Sequence, residues 1–185
     1  SGRRSKPGAP RAMILVPTRE LATQVAEAMR PLAKAAGLRV TTIVGGVAQG
    51  SQVSALRGGV DIVVATPGRL EDLIKQRHCR LDSVEISVLD EADHLADLGF
   101  LPASKRLLDQ TPRGGQRLLF SATLDGAVGV LVRKYLENPV THHVDAASAP
   151  VPSMTHHVLT VDDADKQQIV RELVSGHQRT VAFTR

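Results

Sequence analysis

Short apolar runs alternate with stretches of helical spacing along nearly the whole chain. Ala12-Met-Ile-Leu-Val16 is the first such run, and an unbroken apolar run predicts a strand buried on both faces. In residues 18–36, Leu21, Val25, Ala28 and Leu32 fall in helical register, which predicts a helix with those four on its buried stripe. Pro31 should kink or interrupt that helix, and Gly37 should end it. Leu38–Val44 predicts a second strand, and Gln49–Leu56 a short helix beyond Gly45-Gly46. Asp61–Ala65 predicts a third strand, and Pro67 opens a helix through Arg77, since proline suits a first helical turn. Strands follow over Val84–Leu89, Arg117–Phe120 and Pro139–Val144, with helices over Leu101–Leu108 and Ala127–Leu136. Strand–helix alternation of this kind builds a mainly parallel sheet with helices on both faces.

The stretch Asp145–Pro152 is rich in Ala, Ser and Pro and reads as a linker. Beyond it Thr155–Val161 predicts a strand, Ala164–Val174 a helix and Thr180–Phe183 a strand. One such unit is too small to bury a core of its own. The expected organisation is an arm over residues 1–11, a partial α/β domain over 12–144, a linker over 145–154 and the truncated start of a second domain over 155–185.

Composition narrows the function classes. Hydrophobic residues make up 42% of the 185 residues, enough for a core, whereas aromatics are only 2%. A nucleic-acid surface here cannot rest on many stacking platforms. No apolar stretch is long enough to cross a membrane, the lone Cys79 can form no internal disulfide, and a cytoplasmic setting is expected. The net charge of +4 sits in Arg3, Arg4, Lys6 and Arg11, so the remaining residues are charge-balanced. The arm, with Pro7, Gly8 and Pro10, should be flexible; it could touch nucleic acid or only aid solubility. The chain begins at Ser1, and a piece of a longer polypeptide is expected.

Chemistry in an open α/β sheet gathers at the carboxyl ends of its strands. The sharpest cluster follows the fourth strand, where Asp90-Glu91-Ala92-Asp93 delivers carboxylates at a strand tip. Asp90 is placed to hold a hydrated Mg²⁺ beside nucleotide phosphates, and Glu91 to orient or deprotonate an attacking water. A solvated acidic loop or a helix start would also favour carboxylates. Ser121 and Thr123 at the fifth tip could hydrogen-bond the Asp93 carboxylate, or cap a helix beginning near Asp125. The other three tips carry Thr18 and Arg19, Gly45 and Gly46, and Thr66, Pro67, Gly68 and Arg69. Arginines pair with phosphates, and glycines let a backbone approach and expose N–H donors. Turns and solvated helix faces would use the same residues. His142-His143 and His156-His157 do not chelate readily as strand neighbours, because adjacent side chains point to opposite faces. Cys79 has no nearby acid or histidine pattern and reads as inert.

Taken together, Val88-Leu-Asp-Glu-Ala-Asp93 with Leu98-Gly-Phe100, Pro17-Thr-Arg-Glu-Leu-Ala22, Gly45-Gly46, Thr66-Pro-Gly-Arg69 and Ser121-Ala-Thr123 resemble the motifs of the first domain of DEAD-box RNA helicases. Val181-Ala-Phe-Thr-Arg185 is similar to a strand motif of that family's second domain. The resemblance spans nearly all of the chain beyond residue 11, and the bacterial RhlE-like branch is the expected subfamily. It implies a RecA-like parallel sheet, N-terminally truncated, followed by the first βαβ piece of a second RecA-like domain. It implies ATP and Mg²⁺ as cofactors, with Asp90 coordinating the metal through water and Glu91 serving the hydrolytic water. It makes Asp93, Ser121 and Thr123 the coupling residues between ATP state and domain closure. Thr18, Arg19, Gly45, Gly46, Thr66, Pro67, Gly68 and Arg69 would face RNA, single-stranded or duplex.

The departure from the family is a missing phosphate loop: no Gly-Lys-Ser/Thr occurs in the 185 residues. This polypeptide alone is therefore expected neither to hydrolyse ATP nor to unwind RNA. The resemblance implies that the lost phosphate-loop strand is central, so its absence should leave an apolar slot in the sheet. The C-terminal piece could dock there or swap into a second copy, giving a homo-oligomer. The alternative reading is a non-catalytic RNA-binding or partner-binding module that has lost its ATPase. A DNA-directed helicase of the same superfamily fits the motif contexts less well.

Overall fold

The computed structural model describes residues 5–143 and 157–175, and the chain divides into units of Ser1–Val140 and Thr141–Arg185. In the first unit β1 (Ala12–Leu15), β2 (Val40–Ile43), β3 (Ile62–Ala65), β4 (Ile86–Leu89) and β5 (Gln116–Leu119) form one parallel sheet in the order β2-β3-β1-β4-β5. The register is level: Leu15 lies beside both Ala65 and Leu89, Ala65 beside Ile43, and Leu89 beside Leu119. All five carboxyl ends therefore open on one edge. Crossover helices bring the chain back between strands, as parallel pairing requires. They are α1 (Arg19–Ala35), α2 (Gly50–Arg57), α3 (Pro67–Lys75), and α4 (Ala92–Asp97) with α5 (Leu101–Leu108), while α6 (Gly126–Tyr135) follows the last strand, β5.

Alternate strand residues feed two cores. Met13, Leu15, Val63, Ala65 and Leu89 pack with apolar side chains of α2 through α6. Ile14, Val16, Ile62 and Val64 pack beneath Ala22 and Ala26 of α1. Helices thus cover both faces, and the expected fold class stands. Alanines at the α1 seam let its backbone lie close to the sheet, which suits an aliphatic core with few large side chains.

Several expectations need correction. Pro31 lies inside an uninterrupted α1 on its exposed side, where the missing N–H faces solvent. Leu21 and Val25 of the expected α1 stripe pack half-buried against the core, but its fully buried residues are Ala22, Ala26 and Ala33, whereas Ala28 is exposed and Leu32 is 73% exposed. The helix α4 was not foreseen. Residues 139–143 form no strand, so a sixth strand over Pro139–Val144 is absent among the described residues. The expected slot is absent too: the five described strands pair without a gap, which removes the motive given for swapping.

Residues 5–11 do not form a free arm. Ser5 donates to Asp61 at 2.6 Å, Gly8 N–H to Leu56 C=O at 2.9 Å, and Arg11 forks onto Glu85 at 2.9 and 3.1 Å. Residues 1–4 lie outside the described residues. In the second unit α7 (Lys166–Val174) forms as expected, but residues 157–161 are not a strand. The linker over 145–154, the strand over Thr180–Phe183 and the motif over Val181–Arg185 lie outside the described residues.

Candidate functional site

Sheet order, which differs from chain order, sorts the five strand tips into two groups. Reading across the edge, the tips carry Gly45-Gly46, then Thr66 to Arg69, then Thr18-Arg19, then Asp90-Glu91, then Ser121 to Thr123. Glycine, threonine and arginine tips fill one half, and acidic and hydroxyl tips fill the other. Cross-strand bonds fix the tips: Val16 N–H to Ala65 C=O at 3.0 Å, Thr66 N–H to Ile43 C=O at 3.0 Å, and Asp90 N–H to Leu15 C=O at 2.9 Å.

The acidic half is a cleft of about 490 Å³ lined by Asp90, Glu91, Asp93, His94, Phe120 and Ser121. Asp90 is half-buried and accepts the Glu91 N–H at 3.0 Å through one oxygen. Its second oxygen has no partner among the described residues. Glu91 turns the chain from β4 into α4 in a left-handed conformation, φ 47° and ψ 55°. A non-glycine residue is strained there, and the turn sets Glu91 exposed at the cleft. The next two residues are stitched to β5: Ala92 N–H donates to Phe120 C=O at 3.0 Å, and Asp93 N–H to the Ser121 hydroxyl at 3.2 Å. The coupling contact therefore runs through the Asp93 backbone, where the Asp93 carboxylate was expected. Thr123 is exposed, and Asp125, with no side-chain cap bond, begins α6.

Mg²⁺ fits this donor set in one way. Among the described residues no three His, Cys, Asp or Glu side chains converge to hold a metal. A lone strand-tip carboxylate with a free oxygen suits a cation that keeps most of its waters, as Mg²⁺ does. Asp90 would hold it; the phosphate-cradling partner is not among these residues.

The other half is a backbone surface braced from behind. Gln52, 6% exposed, donates to Val44 C=O at 3.0 Å and accepts Val44 N–H at 3.1 Å, so it clamps the strand just before Gly45. Arg69 donates to Val47 C=O at 3.1 Å. Gly46 has φ +71°, and a Cβ there would meet Arg19 Nη1 at 2.7 Å. Gly45 and Gly68 differ, because a Cβ at either meets nothing within 4 Å. Nothing in the described chain requires glycine for space at those two positions, which leaves room for an external backbone to approach. The Thr18 hydroxyl accepts Leu21 N–H at 3.2 Å and caps α1, whereas Thr66 starts α3 without such a bond, and Pro67 is its buried first residue. The sequence does not single out Gln52, a polar residue beside Val53 in a short helix. Cys79 is buried, which pushes its thiol up to about 12 and leaves it unreactive.

Comparison with known proteins gives a consistent picture. The family model described as DEAD/DEAH box helicase matches residues 3–129. The chain is 39% identical over 181 residues to an ATP-dependent RNA helicase RhlB of Pseudomonas syringae pv. tomato, covering 95% of this chain and 46% of that protein. It is 44% identical over 137 residues to DEAD-box ATP-dependent RNA helicase 5 of Oryza sativa, covering 74% of this chain and 27% of the other. Among solved structures, a DEAD box protein from Methanococcus jannaschii superposes with a TM-score of 0.67 at 36% identity, covering 73% of this chain and 37% of that one. The yeast DEAD-box splicing factor Prp28 gives 0.65 at 34%, covering 69% and 31%. The chain thus spans about half the length of its RhlB relatives. Those relatives carry the RhlB name, so the RhlE-like branch finds no specific support.

Proposed function

Because this chain belongs to the DEAD/DEAH box helicase family, we propose that it supplies part of an RNA-stimulated ATPase that separates short RNA duplexes or remodels RNA–protein complexes. The observation that carries the reading is the divided edge of the sheet, with an acidic cleft on β4 and β5 beside a backbone surface on β2, β3 and β1. Asp90 would hold a hydrated Mg²⁺, which would supply charge neutralisation at nucleotide phosphates. Glu91, set in the cleft by its turn, orients the attacking water and takes its proton. Ser121, bonded to Asp93 N–H, carries a shift of the β4 tip into the β5 tip. Thr18, Arg19, Gly45, Gly46, Thr66, Gly68 and Arg69 contact RNA phosphates and sugars, which positions a strand without reading its sequence. Pro67 serves by fixing the first turn of α3.

The second reading is an RNA-binding module without turnover; it holds only if the longer natural protein, like these 185 residues, lacks Gly-Lys-Ser/Thr. Phosphate release from Mg-ATP, with and without single-stranded RNA, separates the two when run on this polypeptide and on the longer natural protein. The expected result is RNA-stimulated release by the longer protein alone. Its Glu91→Gln variant should lose roughly 100-fold or more in turnover while still binding nucleotide and RNA. A silent longer protein would install the module reading.

A further inference from the structure

A second concave surface opens at the opposite edge of the sheet. A cavity of about 620 Å³ is lined there by Arg57, Arg77, His78 and Arg80, with Pro7 and Gly8 beside them and no carboxylate in the lining. Its place follows from topology. Helices α2 and α3 leave the carboxyl ends of β2 and β3 and run back, so Arg57 at the end of α2 and Arg77 beyond α3 finish at the amino ends of the strands. Arg80 pairs with Asp82 at 3.2 Å, whereas Arg57 and Arg77 show no acidic partner among the described residues.

Backbone geometry singles out Arg77. Helix α3 ends with Arg77 N–H on Ile74 C=O at 2.9 Å and His78 N–H on Leu73 C=O at 2.8 Å. Helix α1 ends with the same pair of bonds through Gly37 and Leu38, and α4 through Gly99 and Phe100. The residue in the left-handed position is glycine in those two, with φ 70° and 75°, but arginine in α3, with φ 60°. Helix termination of this kind favours glycine, so local folding works against Arg77. Strain retained against local preference gathers at functional positions.

We propose that this cavity is a second RNA-backbone site, in which Arg57, Arg77 and Arg80 bind phosphates of RNA that runs on beyond the strand-tip surface. The proposal rests on the RNA-binding reading above. Guanidinium forks match phosphate oxygens in pairs. No Phe, Tyr or Trp lines the cavity, so phosphate contacts rather than large aromatic platforms carry the binding, and such contacts do not read sequence. Ile74, Cys79 and Pro7 supply its apolar lining, and the three arginines with no carboxylate favour a polyanion over a peptide held by large apolar anchors.

The test is Arg77→Gly in the 185-residue chain, read by fluorescence anisotropy on labelled single-stranded RNA at several salt concentrations. One RNA is short, roughly 8 nucleotides, and one is long, roughly 30. Glycine relieves the turn, so the melting temperature should hold or rise, which removes misfolding as an explanation. Affinity for the long RNA should fall roughly three- to ten-fold, and the slope of log K against log salt should drop by about one. Affinity for the short RNA should not change. Unchanged long-RNA affinity and slope would overturn the proposal, as would competition by a poly-glutamate peptide at the cavity without effect on RNA. The variant Arg19→Ala with Arg69→Ala tests the strand-tip surface separately. If that variant weakens both RNAs while Arg77→Gly weakens neither, the cavity proposal fails and the helicase reading survives. If the unaltered chain binds neither RNA, both fail.

Discussion

Glu91 shows how a single residue can be held against its local folding preference. Its φ of 47° places an L side chain where roughly 1–2 kcal/mol of strain is expected. Glu91→Gly should therefore raise the unfolding free energy by about 1 kcal/mol in urea titration, while the longer protein loses ATP hydrolysis. A destabilised variant would mean that the carboxylate itself supports the turn. The acidic cluster was legible in the sequence because Asp90, Glu91 and Asp93 follow directly on an apolar strand run. The strain was not, since nothing local distinguishes a left-handed glutamate from a helical one. Gln52 was hidden for a related reason: a buried amide that pairs with the Val44 backbone looks, along the chain, like one polar residue in a short helix.

At the scale of elements, the apolar pattern located every strand of the sheet and nearly every helix, because buried parallel strands need unbroken apolar runs. It failed where packing overrules pattern. Pro31 reads as a breaker, yet it sits on the exposed side of α1, where losing one N–H leaves a carbonyl that water can satisfy. The stripe was right at Leu21 and Val25 but wrong at Ala28 and Leu32, because alanines, weak signals in any pattern, make the closest contact with the sheet, whereas Leu32 points outward. If α1 is held by that alanine seam, Pro31→Ala should restore the helix bond and stabilise the first unit by about 1 kcal/mol. This is less than the roughly 3 kcal/mol helix penalty of proline, because proline also restricts the unfolded chain. Thermal unfolding measures it; a lowered midpoint would mean that Pro31 packs usefully. Helix α4 escaped notice because six residues are too few to show a helical period.

For the whole molecule, the order β2-β3-β1-β4-β5 could not be read along the chain, since a strand run does not say which neighbour it pairs with. That order brings the tips of β2, β3 and β1 side by side and gives the acidic tips their own half. The contacts that tie distant segments together in this arrangement also set its response to acid. Burial pushes the Asp61 carboxyl up, but hydrogen bonds from Ser5 and Arg39 hold it below its ordinary value. The Arg106 fork, at 2.7 and 2.9 Å, lowers Glu71 and joins α3 to α5. Asp109 is opposed by burial and lowered overall by Tyr135 and Lys134. Each folded-state value lies below the unfolded one, near 4 for carboxylates. Stability from these groups is therefore fully present above pH of about 4 and is lost as pH falls through the lower folded values. Asp61 should dominate, because it is 4% exposed and bonds segments 56 and 22 residues away, whereas Asp109 is largely in water. Asp61→Asn should cost about 2 kcal/mol at neutral pH by weakening those bonds. It should also flatten the decline in melting temperature between roughly pH 5 and pH 3. A variant that keeps the full acid slope would move the control of acid unfolding to Glu71 and its contact between α3 and α5.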